Sequence, residues 1–329
     1  MGNTKASLFD KKATSWFKGM AIIMVILSHF AEWWSWFYPT EGLAEDIRFG
    51  CAQLGPYGVA IFFLFSGYGL SKSAGDKRIG LSFICKRLQN VYLPYLLVTL
   101  IIQILSKAVN LKKIWYGADF WYMTVLFMFY LAFIIIWLIV KNKHIRVILF
   151  AAATFGIIQY LFLRGDHSFW YVSNPAFLIG VLCAAYEEPL KKAFRYISIP
   201  GILLGCIGMY FVTNSGLHPE LQDFATPEAA IKCQTGCVLL WTFLIMCIAA
   251  VWKYYDPVIG FLGKASLYLY ITHTYIFMQI INMPSLNGDF KRGFIISTFV
   301  ILAVSIVLHL LFTQIFKWAP RLYKKIVKK

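Results

Sequence analysis

Ten runs of roughly twenty apolar residues follow one another along this chain, with only short polar connections between them. About 20 residues rising 1.5 Å each are what an α-helix needs to cross a hydrocarbon layer of roughly 30 Å. The runs cover approximately residues 17–38, 54–71, 88–106, 120–140, 147–163, 170–186, 197–214, 233–252, 265–284 and 293–314. In lipid, every backbone N–H and C=O must find its partner inside the protein, so such runs fold as helices. The expectation is an all-α, polytopic transmembrane helix bundle of about ten spans, one transmembrane domain over residues 1–329. Only 14% of the residues are charged, against about a quarter in soluble domains, too few to coat a globular surface. No length remains for a separate soluble catalytic domain. Any chemistry has to sit among the helices.

The net charge of +16 would suggest a nucleic-acid partner in a soluble protein. Here the cations lie between apolar runs, and the positive-inside rule accounts for them better. Starting with the N-terminus inside, 23 of the 31 Lys and Arg residues fall on one side and 8 on the other. Both termini are therefore expected in the cytoplasm of a multi-pass cell-membrane protein, with anionic lipid headgroups as a second use for the charge. Lys5, Lys11 and Lys12 precede the first run as in a signal peptide, but that run ends in Trp33-Trp34-Ser35-Trp36 rather than small residues. It reads as a retained first span. Seven scattered cysteines have no zinc spacing and read as small buried hydrophobes, so no metal is implied.

An ionisable side chain inside a span is costly and is a functional hypothesis by default. The first span carries Lys18 and His29, eleven residues or about three helical turns apart, so both project from one face. They stand roughly 16 Å apart along the axis, which puts His29 near mid-bilayer if Lys18 snorkels to the inner interface. Glu32, three residues on, shares the stripe and is placed to orient or charge-balance the imidazole. One reading makes Lys18 a cation for an anionic donor and His29 a deep general base. The other makes His29 a polar residue bonded to a neighbouring helix.

The second span reads Gly58-Val-Ala-Ile-Phe-Phe-Leu-Phe-Ser66-Gly67-Tyr68, followed by Lys86-Arg87-Leu88-Gln89-Asn90-Val91-Tyr92-Leu93-Pro94-Tyr95 and Phe120-Trp121-Tyr122-Met123. Later come Phe177-Leu178-Ile179-Gly180 and Phe261-Leu-Gly-Lys-Ala-Ser-Leu-Tyr-Leu-Tyr-Ile-Thr-His273. This ordered set, with the Lys18-to-His29 spacing, resembles acyltransferase family 3, the membrane-bound acyltransferases of surface-glycan O-acetylation type. The sequence departs from the family pattern in two respects. Gln89 and Asn90 are neutral where a second cation is usual, and Ala60 stands where relatives often carry an acid.

The resemblance implies a ten-helix fold, an acyl-coenzyme A donor (acetyl-CoA foremost) entering from the cytoplasm, and transfer to a hydroxyl of an extracytoplasmic glycan or lipid-linked sugar. No tightly bound cofactor is implied. His29 is then the catalytic base and Glu32 its orienting group. Lys18, Lys86 and Arg87 are candidates to hold coenzyme A phosphates, although positive-inside anchoring explains them equally well. Ser66 reads as a small-residue site for close substrate or helix approach, because Phe65-Ser66-Gly67 lacks a nucleophile elbow. Trp121 and Tyr122 are placed to line an acceptor channel or to anchor at the interface. Asp119 reads as a loop acid, and His273 as a structural hydrogen-bonding residue. His309 has no supporting context, and the loop residues His144, His167 and His218 have no metal spacing. The competing function is a transporter or flippase for a lipid-linked saccharide, which would be expected to show a two-fold repeat of broken helices that the sequence lacks. A structural subunit of an envelope complex is a third reading.

Overall fold

The computed structural model describes residues 7–38, 41–75, 78–107, 109–117, 120–214, 227–286 and 289–327. Its helices in chain order are α1 (Lys11–Phe37), α2 (Leu43–Ala52), α3 (Leu54–Ala74), α4 (Leu81–Arg87), α5 (Leu93–Leu105), α6 (Leu111–Tyr116) and α7 (Trp121–Ile139). They continue as α8 (Lys143–Leu163), α9 (Pro175–Ala185), α10 (Glu187–Asn214), α11 (Pro227–Val251), α12 (Pro257–Ile281) and α13 (Phe290–Val327). A π-helical turn over Leu88–Tyr92 joins α4 to α5, and a 3₁₀ turn over Ser168–Trp170 leads into α9. The starts are set by short polar side chains that accept the first free N–H groups. Asp10 takes the N–H of Ala13 at 2.7 Å, Asn142 those of His144 and Ile145, and Asp256 those of Val258 and Ile259, with Pro257 opening α12. The Asn142 cap starts the fifth span at Lys143, so Arg146 lies within that helix and not at its border.

Among the described residues, nine stretches are helical, long and apolar enough to cross a membrane. The expected ninth span, α12, falls outside that set because it carries Lys264, Thr272, His273, Thr274 and several tyrosines. Its packing nevertheless places it at the same depth as α1. Gly263 meets the Ser15 carbonyl, His29 meets His273, and Trp33 stacks on Phe277. The register advances in the same sense on both helices, so α1 and α12 run in the same direction. From Ser15 to Trp33 they keep company for about 27 Å, close to the bilayer's ~30 Å.

The other helix pairs agree with alternate crossings. α3 runs against α1, with Ser28 at Ala52 and Phe17 stacked on Phe65. α9 runs with α3, since Ser173 meets Pro56 and Gly180 meets Leu64 and Tyr68. α13 runs against α12, with Thr272 bonded to Ser305 and Tyr268 stacked on Phe312. The Gly201–Gly205 pair serves α10–α11 packing: Gly201 faces Phe243 and Cys247, and Gly205 faces Leu244. The chain is a multi-pass membrane protein. Leu and Ile side chains on α13 such as Ile295, Leu310 and Leu311 are exposed because lipid tails are their solvent. Cys85 and Cys206 are likewise exposed, in contrast to the burial expected of them, while Cys183, Cys237 and Cys247 are buried.

Candidate active site

The helical stretch Leu43–Ala74 that carries the second span is broken into α2 and α3 just before that span, and the reason is local. Pro56 has no N–H, so the carbonyl of Ala52, four residues back, loses its helical partner. Ser28 of α1 donates its hydroxyl to that carbonyl at 2.6 Å. The α2–α3 joint therefore opens at Gln53 beside the middle of α1. Pro56's own carbonyl accepts the Ser173 hydroxyl at 2.9 Å, which ties the joint to the start of α9.

A cavity of about 780 Å³ fills the space so created. Its wall includes His29, Glu32 and Ser28 of α1, Gln53 at the joint, Trp121 at the start of α7, Gln234 of α11 and Tyr270 of α12. It reaches the bundle end opposite the start of α1 and the end of α13, where Glu32 and Ser35 are exposed. The volume is in the range of small-molecule sites, roughly 300–1,000 Å³.

The half-buried His29 is held by one side chain. Its Nδ1 lies 2.7 Å from Nε2 of His273. His273 is 1% exposed, and its Nδ1 faces the carbonyls of Tyr270 at 2.8 Å and Leu269 at 3.1 Å. Carbonyls only accept, so the His273 proton sits on Nδ1 and its Nε2 is an acceptor. His29 must then donate from Nδ1, which leaves its Nε2 with a free lone pair on a ring that lines the cavity. That is the tautomer a general base requires. The Thr274 hydroxyl, 3.3 Å from His273 Nε2, lies at the same junction.

Two buried amides face the same space. Gln53 is 4% exposed and Gln234 8%, and the Oε1 atoms of both have no hydrogen-bond partner among the described residues. Both oxygens are also closed off from solvent, and leaving such an atom unsatisfied costs about 1–3 kcal/mol. α11 is fixed in place by Trp241, whose indole N–H donates to the Tyr57 carbonyl at 3.1 Å two turns below Gln234. Trp121 packs on Phe169 at 5.3 Å and Trp170 at 6.1 Å between centroids. The loop behind them is clipped by Arg164, which donates to Asp166 at 2.6 Å and lies over the Trp170 ring. The Asp166 carboxylate holds the Arg164 guanidinium above its ordinary value, partly offset by burial.

The residues singled out in the sequence thus fall into three layers. His29, Glu32 and Trp121 share the cavity. Ser66 and Tyr122 lie below it, with the Tyr122 ring 5.2 Å from Tyr270. Lys18 is near enough to Arg87 for the two to repel, some three turns from His29 toward the chain termini. Arg87 donates to Ser73 and lies over Phe83, whereas Lys86 stands exposed on α4 outside this cluster. The contact expected from Glu32 is made by His273 instead, and Glu32 faces His29 only as a fellow wall residue. His309 sits against Phe261 and Tyr268, and His144 bonds to Tyr186, both away from the cavity. Asp119 and His218 lie outside the described residues. Sequence reasoning missed Gln53, Gln234 and the partnership of His273. A signal for the His273 partnership lay in the polar character of the ninth run.

Helices of membrane length that bring His29, backed by the buried His273, to the wall of an open-ended cavity define a polytopic membrane protein with polar groups inside the bundle. Residues 12–314 match the family model described as an acyltransferase domain. The chain belongs to acyltransferase family 3, and membership implies acyltransferase activity in general. Comparisons with curated proteins and with solved structures find no match.

Proposed function

We propose that this protein is an O-acyltransferase that moves a short acyl group, acetyl foremost, from cytoplasmic acyl-coenzyme A to a hydroxyl of an extracytoplasmic glycan or lipid-linked sugar. The observation that carries the reading is the 2.7 Å contact of His29 Nδ1 with His273 Nε2 at the wall of the cavity, which for two neutral rings leaves His29 Nε2 unprotonated. In the proposed reaction His29 Nε2 removes the proton from the acceptor hydroxyl, whose oxygen attacks the thioester carbonyl. The tetrahedral intermediate collapses by breaking the C–S bond, and the imidazolium returns its proton to the departing coenzyme A thiolate. While charged, His29 keeps its Nδ1–H on the neutral His273 and has the Glu32 carboxylate in the same cavity as a counter-charge. A route through an acyl-histidine is the stepwise variant of the same transfer.

Sidedness follows the cation bias, which assigns the end bearing the chain termini to the cytoplasm. Lys18 and Arg87 then meet the donor's phosphates, and the cavity mouth faces the acceptor. The test uses the purified full chain in nanodiscs with radiolabelled acetyl-CoA. The wild type is expected to release label from the thioester, and His29→Ala to lower kcat by about 10²–10⁴. A protein that moves saccharide without consuming thioester would be a transporter. In cells, surface-glycan esters lost on deletion and fully restored by His29→Ala would remove the mechanism.

A further inference from the structure

We propose that Tyr270 is a second catalytic residue of the transfer, its phenol donating to the oxyanion that forms on the thioester carbonyl. The inference rests on the acyl-transfer reading, in which His29 takes a proton but no group yet holds the charge that the carbonyl oxygen acquires.

Charge that develops inside a helix bundle is best stabilised by a donor already in place. Tyr270 meets that need by position. It lies three residues before His273 on α12, so about one turn separates them and they share a face. Because α12 runs in the same direction as α1, Tyr270 stands on the inner side of the histidine pair, the side from which the donor comes in the proposed reaction. Its ring centroid is 5.9 Å from that of His273, which is 5.0 Å from that of His29. The Tyr270 carbonyl faces His273 Nδ1 at 2.8 Å, so one residue helps to set the tautomer and brings a phenol to the cavity wall.

The phenol is free to act. Tyr270 is 7% exposed, and among the described residues its hydroxyl donates to no acceptor, yet that oxygen is not closed off as the two glutamine oxygens are. Neighbouring donors on the wall are engaged. Ser28 donates to the Ala52 carbonyl and Ser35 to the Glu32 carbonyl, each at 2.6 Å, and Arg48 donates to both oxygens of Glu45. The Thr274 hydroxyl faces His273 Nε2. A phenol holds its proton at neutral pH, so it can donate without being consumed. In the step, the acceptor O–H gives its proton to His29 Nε2 and its oxygen bonds to the carbonyl carbon. The C=O π pair moves onto the carbonyl oxygen, against the Tyr270 O–H. That pair then re-forms C=O, the C–S bond breaks, and the thiolate takes the proton from the imidazolium. Tyr270 ends the cycle protonated, as it began.

The test measures initial rates with radiolabelled acetyl-CoA on the full chain in nanodiscs. Tyr270→Phe removes one oxygen and is expected to lower kcat about 10²-fold or more, with KM for acetyl-CoA within about twofold. Tyr268→Phe is the control on the same helix, its ring stacked on Phe312 of α13, and should change neither constant more than about twofold. Binding supplies a readout that packing would not move. S-carboxymethyl-CoA carries a carboxylate close to where the oxyanion forms, and the wild type should bind it more tightly than coenzyme A. That preference should fall about tenfold in Tyr270→Phe and persist in Tyr268→Phe. Thermal unfolding reports whether each variant is folded, and Tyr270→Met serves if the phenylalanine is not tolerated. An unchanged kcat, equal losses in the two phenylalanine variants, or a carboxymethyl-CoA preference that survives loss of the hydroxyl each overturn the role of Tyr270. In those cases thioester cleavage by the wild type leaves the acyl-transfer reading standing, whereas a wild type that cleaves no thioester overturns both.

Discussion

His29 and His273 lie ring beside ring, their planes 11° apart and their centroids at 5.0 Å, on two helices that run in the same direction. One turn further along, Trp33 and Phe277 stack at 4.4 Å and 18°. The imidazole is therefore held by a hydrogen bond on one edge and by the aromatic register of the α1–α12 interface. If His273 sets the tautomer, His273→Ala lowers kcat at least about tenfold, short of the 10²–10⁴ expected for the base itself. KM for acetyl-CoA stays within about twofold. Glutamine can accept from His29 Nδ1–H through its amide oxygen, so His273→Gln recovers part of the loss. Initial-rate kinetics of the three proteins decide it, and an unchanged kcat in His273→Ala refutes the assignment.

The same interface depends on Gly19 and Gly263. A Cβ at Gly263 would overlap the Ser15 carbonyl, and one at Gly19 the Ile259 carbonyl. Both obstacles are backbone atoms that cannot rotate away. Gly263→Ala is expected to cost about 1–3 kcal/mol, seen as a lower unfolding temperature in detergent. Activity should fall with it, because pushing α12 off α1 also parts the two histidines. Gly260, on the same helix, has open space around its Cβ position. Gly260→Ala is the control and should unfold within a degree or two of the wild type, or above it, given alanine's higher helix propensity.

How much of this was legible beforehand depends on the range of each interaction. Helix identity and approximate bounds are local, written in apolar runs and in caps such as Asp10, Asn142 and Asp256. The His29 stripe was legible for the same reason: Lys18, His29 and Glu32 share one helix. The His29–His273 contact spans 244 residues, and nothing in either run says which neighbour it will meet. α12 was recognisable as a span although its polar residues weaken its apolar signal, and those residues are there because they face α1 and α13. Gln53 and Gln234 carry no mark at all in the sequence. Their meaning comes from the α2–α3 joint, which only the pairing of Ser28 with Ala52 reveals.

That joint yields a test by non-additivity. Ser28→Ala strands the Ala52 carbonyl and is expected to destabilise the protein by about 1–3 kcal/mol. Pro56→Ala returns an N–H to the position from which a helix would bond that carbonyl. In the Pro56→Ala background, Ser28→Ala should then cost much less, giving a coupling well above the ~0.3–0.5 kcal/mol scatter of independent sites. Unfolding temperatures of the four proteins complete the cycle. Additive effects would mean that the carbonyl is satisfied in some other way.

At the end of the bundle opposite the cavity mouth, two cations face a problem that a donor can solve. Lys18 and Arg87 are close enough to repel, and among the described residues no carboxylate pairs with either. A phosphate between them would relieve that repulsion through charge-assisted hydrogen bonds. Lys18→Ala and Arg87→Ala are each expected to raise KM for acetyl-CoA about tenfold, with kcat within about threefold, since neither side chain reaches the reacting carbonyl. Lys86→Ala, at an exposed position, should change KM less than about twofold. Added salt should weaken wild-type binding more than that of the variants, because part of the attraction is screened. The decisive comparison uses acetyl-S-pantetheine, which carries the thioester without the nucleotide phosphates. With that donor the wild type and both alanine variants should have the same KM. A difference that persists would place Lys18 and Arg87 in the framework of the bundle and move the phosphate site elsewhere.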